Sequence, residues 1–364
     1  MPQLSQIPPE ADGVFEGGGV KGIAFAGAID VVEKAGLRQW KNVAGTSAGA
    51  IVASLLAVGY DAAGLRKILE AATYTRFADF GVGGVPRGIV NSLWMRGLAP
   101  GRYFSTWLGE RIAESPVAQK LGKSELTFAD VVRDDLPKDL TPQQARRARY
   151  RLRVIGSDIS SGRMLVLPDA ISDFAHGPND LRPRDPDELG IVEGVRMSMS
   201  FPYLFTPVRL WDLNGRPHYV VDGGLLSNFP VWLFDSGSDR PPARPTWGFR
   251  LHGGESWDEQ LPYRKIPLPF WRLKLARAMF QSATEAWDRE QLGRAASART
   301  VSIPTRMIGT TDFGLSKDDA RRLYDWGVEA AERFLAGDEV REHLADYERR
   351  GGVMGGAVAG APAT

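Results

Sequence analysis

The 364-residue sequence contains no cysteine and only four histidines. The missing thiols exclude a disulfide framework, a thiolate zinc site, an iron–sulfur cluster and a cysteine nucleophile. His176, His218, His252 and His343 lie far apart and form no HxxxH or HExxH pair, so no metal site is expected and no cofactor is implied. Charge of one sign is not in excess either. With 45 Lys and Arg against 44 Asp and Glu, the formal net charge is +1, and no nucleic-acid partner is expected. The longest mostly apolar stretch, Ala48 to Val58, is far short of the roughly 20 residues of a membrane-spanning helix. The opening MPQLSQIPPEADG has no apolar signal-peptide core. The expectation is a cytoplasmic chain, at most peripheral at a membrane, that works with oxygen chemistry. At 43% hydrophobic and 24% charged residues, it has enough apolar side chains for a sizeable core.

The first sixty residues read as strand–loop–helix units. Gly13-Val14-Phe15 runs into Gly17-Gly18-Gly19, after which Val20, Ile23, Ala24, Ala28 and Val31 recur at helical spacing until Gly36. Asn42-Val43-Ala44 is a second short strand, followed by Gly45-Thr46-Ser47-Ala48-Gly49 and an apolar helix through Leu56. Further strands are expected at 150–155, 164–167, 219–221, 246–250 and 300–303. An amphipathic helix capped by Ser316 is expected over 317–335. Alternation of strands and helices predicts an α/β fold with a mostly parallel central sheet flanked by helices. No linker interrupts residues 12–335, read as one catalytic domain between a flexible N-terminus (1–11) and a helical extension (336–350). Residues 351–364 read as a disordered Gly/Ala-rich tail. Mobile insertions are expected near 80–103 and 174–189.

Gly17 to Gly22 matches GxGxxG. However, the acidic residue that would hold a ribose about 20 residues on is missing from Leu37-Arg38-Gln39-Trp40-Lys41-Asn42. A glycine run at a helix start can also aim several N–H groups at a developing oxyanion, or can simply be a tight turn. Gly45-Thr46-Ser47-Ala48-Gly49 matches GxSxG between a strand and a helix, where a nucleophile elbow needs small neighbours around an exposed serine. A serine nucleophile requires a base. The histidines lack a persuasive context, whereas Asp222 closes the strand Tyr219-Val220-Val221 just before Gly223-Gly224. Strand ends of open parallel sheets are where ligand crevices form, so Ser47 and Asp222 can reach the same edge.

With these motifs in place the sequence resembles the patatin-like phospholipases: GGGVKG at 17–22, GTSAG at 45–49 and DGG at 222–224 occur in the family's order. The segments Arg196 to Pro202 and Asn228-Phe229-Pro230 resemble those flanking the family's aspartate strand. The resemblance implies a three-layer α/β/α fold and a serine lipid acyl hydrolase with a Ser–Asp dyad. Carried over by position, Ser47 is the nucleophile and Asp222 the general base. The Gly17, Gly18 and Gly19 backbone forms the oxyanion hole near Lys21, and Gly45, Gly49 and Gly223 support the turns. Many members have arginine at the position of Lys21, so the charge is kept and the planar fork is lost.

The implied partner is a phospholipid or another acyl-ester lipid. Phe270, Trp271, Arg272 and Lys274 begin a basic, aromatic segment expected first as an amphipathic helix packed on the core, with contact to a bilayer surface as its alternative. A second basic run, Arg146 to Arg153, is expected to be a solvated sheet face, with a headgroup contact as its alternative. Two other functions fit the same motifs: a soluble carboxylesterase or thioesterase with the same dyad, and a non-catalytic membrane- or nucleotide-binding module.

Overall fold

A computed structural model describes residues 7–77, 99–235, 244–252 and 298–349, apart from 137, 139, 203, 306, 307, 310, 311 and 313. Phe270, Trp271, Arg272, Lys274, most of the 80–103 insertion and the 351–364 tail lie outside the described residues.

The described strands are β1 (Glu10–Phe15), β2 (Gln39–Thr46), β3 (Leu152–Asp158), β4 (Arg163–Leu167), β5 (Phe174–Gly177), β6 (Asp180–Pro183), β7 (Val208–Asp212), β8 (Pro217–Asp222), β9 (Thr246–His252) and β10 (Thr300–Pro304). They form one mixed central sheet in the order β10-β9-β1-β2-β3-β8-β7-β5-β6, with β4 paired to β3. The five strands from β10 to β3 are mutually parallel, and from β3 through β8 to β6 every pairing is antiparallel. In the parallel half, neighbouring residues bury to opposite faces. Phe15 and Val43 join the large core, while Val14 and Ala44 pack with Phe229 and Val231 on the other side.

Flanking the sheet are α1 (Ile23–Lys34), α2 (Ala48–Ala57), α3 (Ala62–Ala71), α4 (Arg102–Ala113), α5 (Ile191–Ser198), α6 (Lys317–Ala336) and α7 (Asp338–Arg349). Every residue of α2 is buried, which its all-apolar and small-residue sequence permits. Helices α1 and α6 cross backbone to backbone. A Cβ on Gly27 would fall 2.0 Å from the Tyr324 carbonyl oxygen, and one on Gly327 would fall 2.0 Å from that of Ala24. Ser316 caps α6 as its sequence predicts, accepting the Asp319 N–H at 3.1 Å. No helix among the described residues is long and apolar enough to cross a membrane.

The polar stretch 174–189, read as a mobile insertion, contains β5 and β6, paired antiparallel at the sheet edge. One sequence expectation is corrected: beyond the exposed Arg146, the basic run from Arg149 is not a solvated face. Arg151 reaches the Ala57 carbonyl at the end of α2, Arg153 meets Asp169 at 3.3 Å, and Arg149 pairs with Asp187. Burial lowers the pKa of Arg151 and Arg153, the cost of placing β3 in the sheet interior.

Candidate active site

Ser47 sits where β2 turns into α2. It is the one non-glycine residue with positive φ among the described residues, at φ 53° and ψ −121°. A side chain there costs on the order of 1–3 kcal/mol and persists only where the surroundings impose it. The neighbours do so by closeness: a Cβ on Gly45 would lie 2.2 Å from the Gly49 oxygen, and one on Gly49 would lie 2.1 Å from the Phe15 oxygen. The elbow is therefore wedged between its own helix start and the end of β1. Its backbone N–H donates to Ser198 Oγ at 3.0 Å, and the side chain of Thr46 donates to the Ser227 carbonyl at 3.0 Å.

Asp222 ends β8, level with Gly156 of β3, and is 1% exposed. Its N–H donates to the Ser200 carbonyl, and its Oδ1 accepts the Gly224 N–H at 2.8 Å. Burial pushes its pKa up to about 7, against the lowering effect of Ser47 and Gly224 as hydrogen-bond donors. The Ser47 contact is loose, and Oδ2 has no partner in good hydrogen-bond geometry. A buried carboxylate oxygen with a serine beside it and no strong donor is poised to accept a proton. Gly223 follows at the turn, with its Cβ position 2.2 Å from the Ile155 oxygen.

The glycine loop lies against the same elbow, since a Cβ on Gly17 would be 3.2 Å from Ser47 Cβ. Its first N–H is already used: Gly17 donates to the Asn228 carbonyl at 3.1 Å, while Asn228 Nδ2 donates back to the Gly17 carbonyl at 3.2 Å. This clamp leaves the Gly18 and Gly19 N–H groups without a hydrogen-bond acceptor among the described residues. Lys21, half-buried, stands in the 3₁₀ turn Gly19–Gly22 that leads into α1. Glu16, 5% exposed, anchors the loop from behind, accepting the Leu251 N–H and Asn228 Nδ2 and facing Arg250 at 3.5 Å.

The structure thus brings together Ser47, Asp222, Gly17, Gly18, Gly19, Gly45, Gly49 and Gly223. Glu16 and Ser198 were missed by sequence reasoning. Leu251 and Asn228 are 235 and 212 residues from Glu16, and Ser198 is 151 residues from Ser47, so no local pattern marks these contacts.

The side chains that hydrogen-bond Asp222 do not include a histidine, although His252 directly follows Leu251, whose side chain lies against Gly18. His218 donates from Nδ1 to Asp158 at 2.7 Å, His343 packs on Trp247, His252 ends β9, and His176 lies on β5. Among the described residues, no three His, Asp or Glu side chains converge to hold a metal ion.

A model of the patatin-like phospholipase family matches residues 13–235, which contain all the glycine, serine and aspartate positions above. The chain is 32% identical over 327 residues to the uncharacterised protein YqhO of Bacillus subtilis (strain 168), covering 89% of this chain and 97% of that one. It is 25% identical over 232 residues to the uncharacterised protein R571 of Acanthamoeba polyphaga mimivirus, covering 62% of each. Among solved structures it is similar to VipD from Legionella pneumophila, at 20% identity and TM-score 0.49, covering 90% of this chain and 67% of that one. It is also similar to a chain of the heterodimeric ExoU–SpcU complex from the type III secretion system of Pseudomonas aeruginosa. There the identity is 19% and the TM-score 0.47, with 91% of this chain and 52% of that one covered. The chain belongs to the patatin-like phospholipase family, a family of lipid acyl hydrolases.

Proposed function

We propose that this protein is a serine lipid acyl hydrolase of the phospholipase A type, cleaving fatty-acyl esters of glycerolipids through a Ser47–Asp222 dyad. One observation carries the reading: the strained Ser47 faces a fully buried carboxylate with a pKa near 7, and no imidazole is interposed. An aspartate at its ordinary pKa near 3.9 is a feeble base, and burial raises Asp222 towards the working pH.

In the first half-reaction the Asp222 carboxylate takes the Ser47 proton as Oγ attacks the ester carbonyl carbon. The carbonyl oxygen becomes an oxyanion at the Gly18 and Gly19 N–H groups, near the positive charge of Lys21. Such donors are worth about 2.7–4 kcal/mol each in comparable sites. Collapse expels the alcohol or lysolipid, which leaves with the proton held by Asp222. Water then gives a proton to Asp222 and attacks the acyl-enzyme, and the proton returns to Ser47 as the fatty acid leaves.

The test is ester turnover by the wild-type protein, Ser47→Ala, Asp222→Asn and each of the four His→Ala variants. The dyad requires loss of activity in the first two variants only. A single histidine variant that is folded and inactive would return the site to a triad.

A further inference from the structure

The antiparallel half of the sheet reaches past the edge on which Ser47 and Asp222 sit. Thr46 pairs with Ile155, and β3 continues beyond that level through Asp158, after which the Ile159 N–H donates to the Tyr219 carbonyl. Ile159 is thus four residues, or about 13 Å of strand, beyond the level of the elbow. The tips of the β3–β4 and β7–β8 hairpins form a lip on the side where the candidate active site opens.

That lip is unusually apolar for exposed surface. Six large hydrophobic side chains are exposed among the described residues, and four belong to it: Ile159 at 51%, Leu181 at 48%, Leu213 at 43% and Tyr219 at 43%. Ile159 and Tyr219 are joined by their backbone bond, and Leu181 lies against the turn that carries Leu213, 3.4 Å from the Cβ position of Gly215. Basic groups flank them. Arg209, level with Tyr219 in the β7–β8 pairing, is exposed and sits over the Trp211 ring at 4.9 Å. Arg216 is exposed in the β7–β8 connection. Neither guanidinium pairs with a carboxylate among the described residues; nearby Asp180 is paired with Arg182, and Asp212 keeps its charge while accepting the Asn214 and Arg216 N–H groups.

We propose that this lip docks on an anionic lipid surface, with Ile159, Leu181, Leu213 and Tyr219 entering the interfacial layer and Arg209 and Arg216 meeting headgroup phosphates. Apolar side chains ringed by unpaired cations match a charged bilayer in both respects, and an aromatic–arginine pair suits the headgroup depth. The placement beside the Ser47 edge gives the contact a purpose that rests on the lipid-hydrolase reading: a substrate molecule leaving the bilayer would meet the site first.

The experiment measures co-sedimentation of the Ser47→Ala protein with phosphatidylcholine vesicles, with and without phosphatidylglycerol. Binding does not depend on turnover, so soluble-ester hydrolysis by the unmodified chain reports separately on the reading beneath it. The expected result is binding that strengthens with phosphatidylglycerol. It should weaken about tenfold or more in Ile159→Asp/Leu213→Asp, where two apolar anchors are lost. It should lose its phosphatidylglycerol dependence in Arg209→Gln/Arg216→Gln. Leu121→Asp, at an exposed apolar position outside the lip, should bind as the parent does. Thermal melting confirms that each variant is folded, and the exposed arginine pair supplies a readout if the apolar double variant is not. No binding to either vesicle, binding unchanged in the folded lip variants, or an equal loss in Leu121→Asp would overturn the proposal.

Discussion

Two buried aspartates lie two rungs apart on the β3–β8 ladder and have opposite electrostatics. Asp222 pairs with Gly156, and Asp158 pairs with Val220. Both are at most 1% exposed. Asp158 is surrounded by donors: the Ser160 N–H at 2.9 Å, the Ser161 hydroxyl and His218 Nδ1 at 2.7 Å. Burial alone pushes its pKa up, but Ser161, His218 and Ser160 outweigh it and hold the carboxyl below the usual carboxylate range. Asp222 has one firm donor, Gly224, and a loose one, Ser47, so burial wins and the pKa rises to about 7. Asp158, nearer the surface and rich in donors, and Asp222, deeper and poor in donors, therefore differ in both depth and donor number, and the two act together. A serine, a histidine and an aspartate do meet at Asp158, yet Ser161 bonds the carboxylate rather than the imidazole, which is not the relay of a triad.

The largest expected effect separates the two in activity. Asp222→Asn should lower ester turnover by about 10²–10⁴-fold, the usual contribution of a general base. Asp158→Asn, measured in the same assay, should stay within about a factor of a few, because its carboxylate faces strand ends and not Ser47.

Stability should separate them in the opposite sense. The folded chain keeps the Asp222 proton up to about pH 7, whereas an unfolded aspartate loses it near pH 4. Stability therefore falls as pH rises between those values, by up to about 4 kcal/mol. A neutral amide carries no such cost, so Asp222→Asn should unfold at a higher denaturant midpoint than the parent above pH 7 and match it near pH 4. Equal midpoints at both pH values would mean that Asp222 is not strained by its charge.

For Asp158 the sign reverses. Its folded pKa is depressed, so its contribution is present above the unfolded value near 4 and disappears as pH falls through the lower folded value. Asp158→Ala, which strands the His218 and Ser160 donors, should cost about 1–3 kcal/mol at neutral pH by denaturant unfolding, and less in acid.

The smallest expected effect concerns the glycine loop. Asn228→Ala removes the Nδ2 bond to the Gly17 carbonyl and leaves the Asn228 backbone acceptor in place. Ester kcat should fall about tenfold with KM little changed, if the clamp acts by aligning the Gly18 and Gly19 donors.

Much of the parallel half was legible because its strands are short apolar runs closed by glycine or aspartate, as at Gly13 to Phe15 and Asn42 to Ala44. The antiparallel extension was harder to read. Val208–Asp212, between β8 and β5, and the edge strand Asp180–Pro183 mix arginine, aspartate and proline with apolar residues, because this antiparallel part of the sheet is only partly buried. The Arg151 and Arg153 positions misled for a related reason: alternation marks a strand face, and only the α2 terminus and Asp169 decide what covers it. At the site, Ser47 and Asp222 were legible because the elbow and the strand-end turn impose local composition. The Gly17 N–H is taken by the carbonyl of the distant Asn228, a contact no local pattern marks.

The most direct test is the rate at which Ser47 is modified by a fluorophosphonate, followed by intact mass from pH 5 to 9 in the parent, Asp222→Asn and a variant with all four histidines replaced by alanine. A Ser47–Asp222 dyad predicts a rate that rises with pH through a midpoint near 7 in the parent, the same midpoint without histidine, and almost no labelling in Asp222→Asn. Labelling of Asp222→Asn at the parental rate, or loss of the pH dependence on removing the histidines from a folded chain, would contradict it.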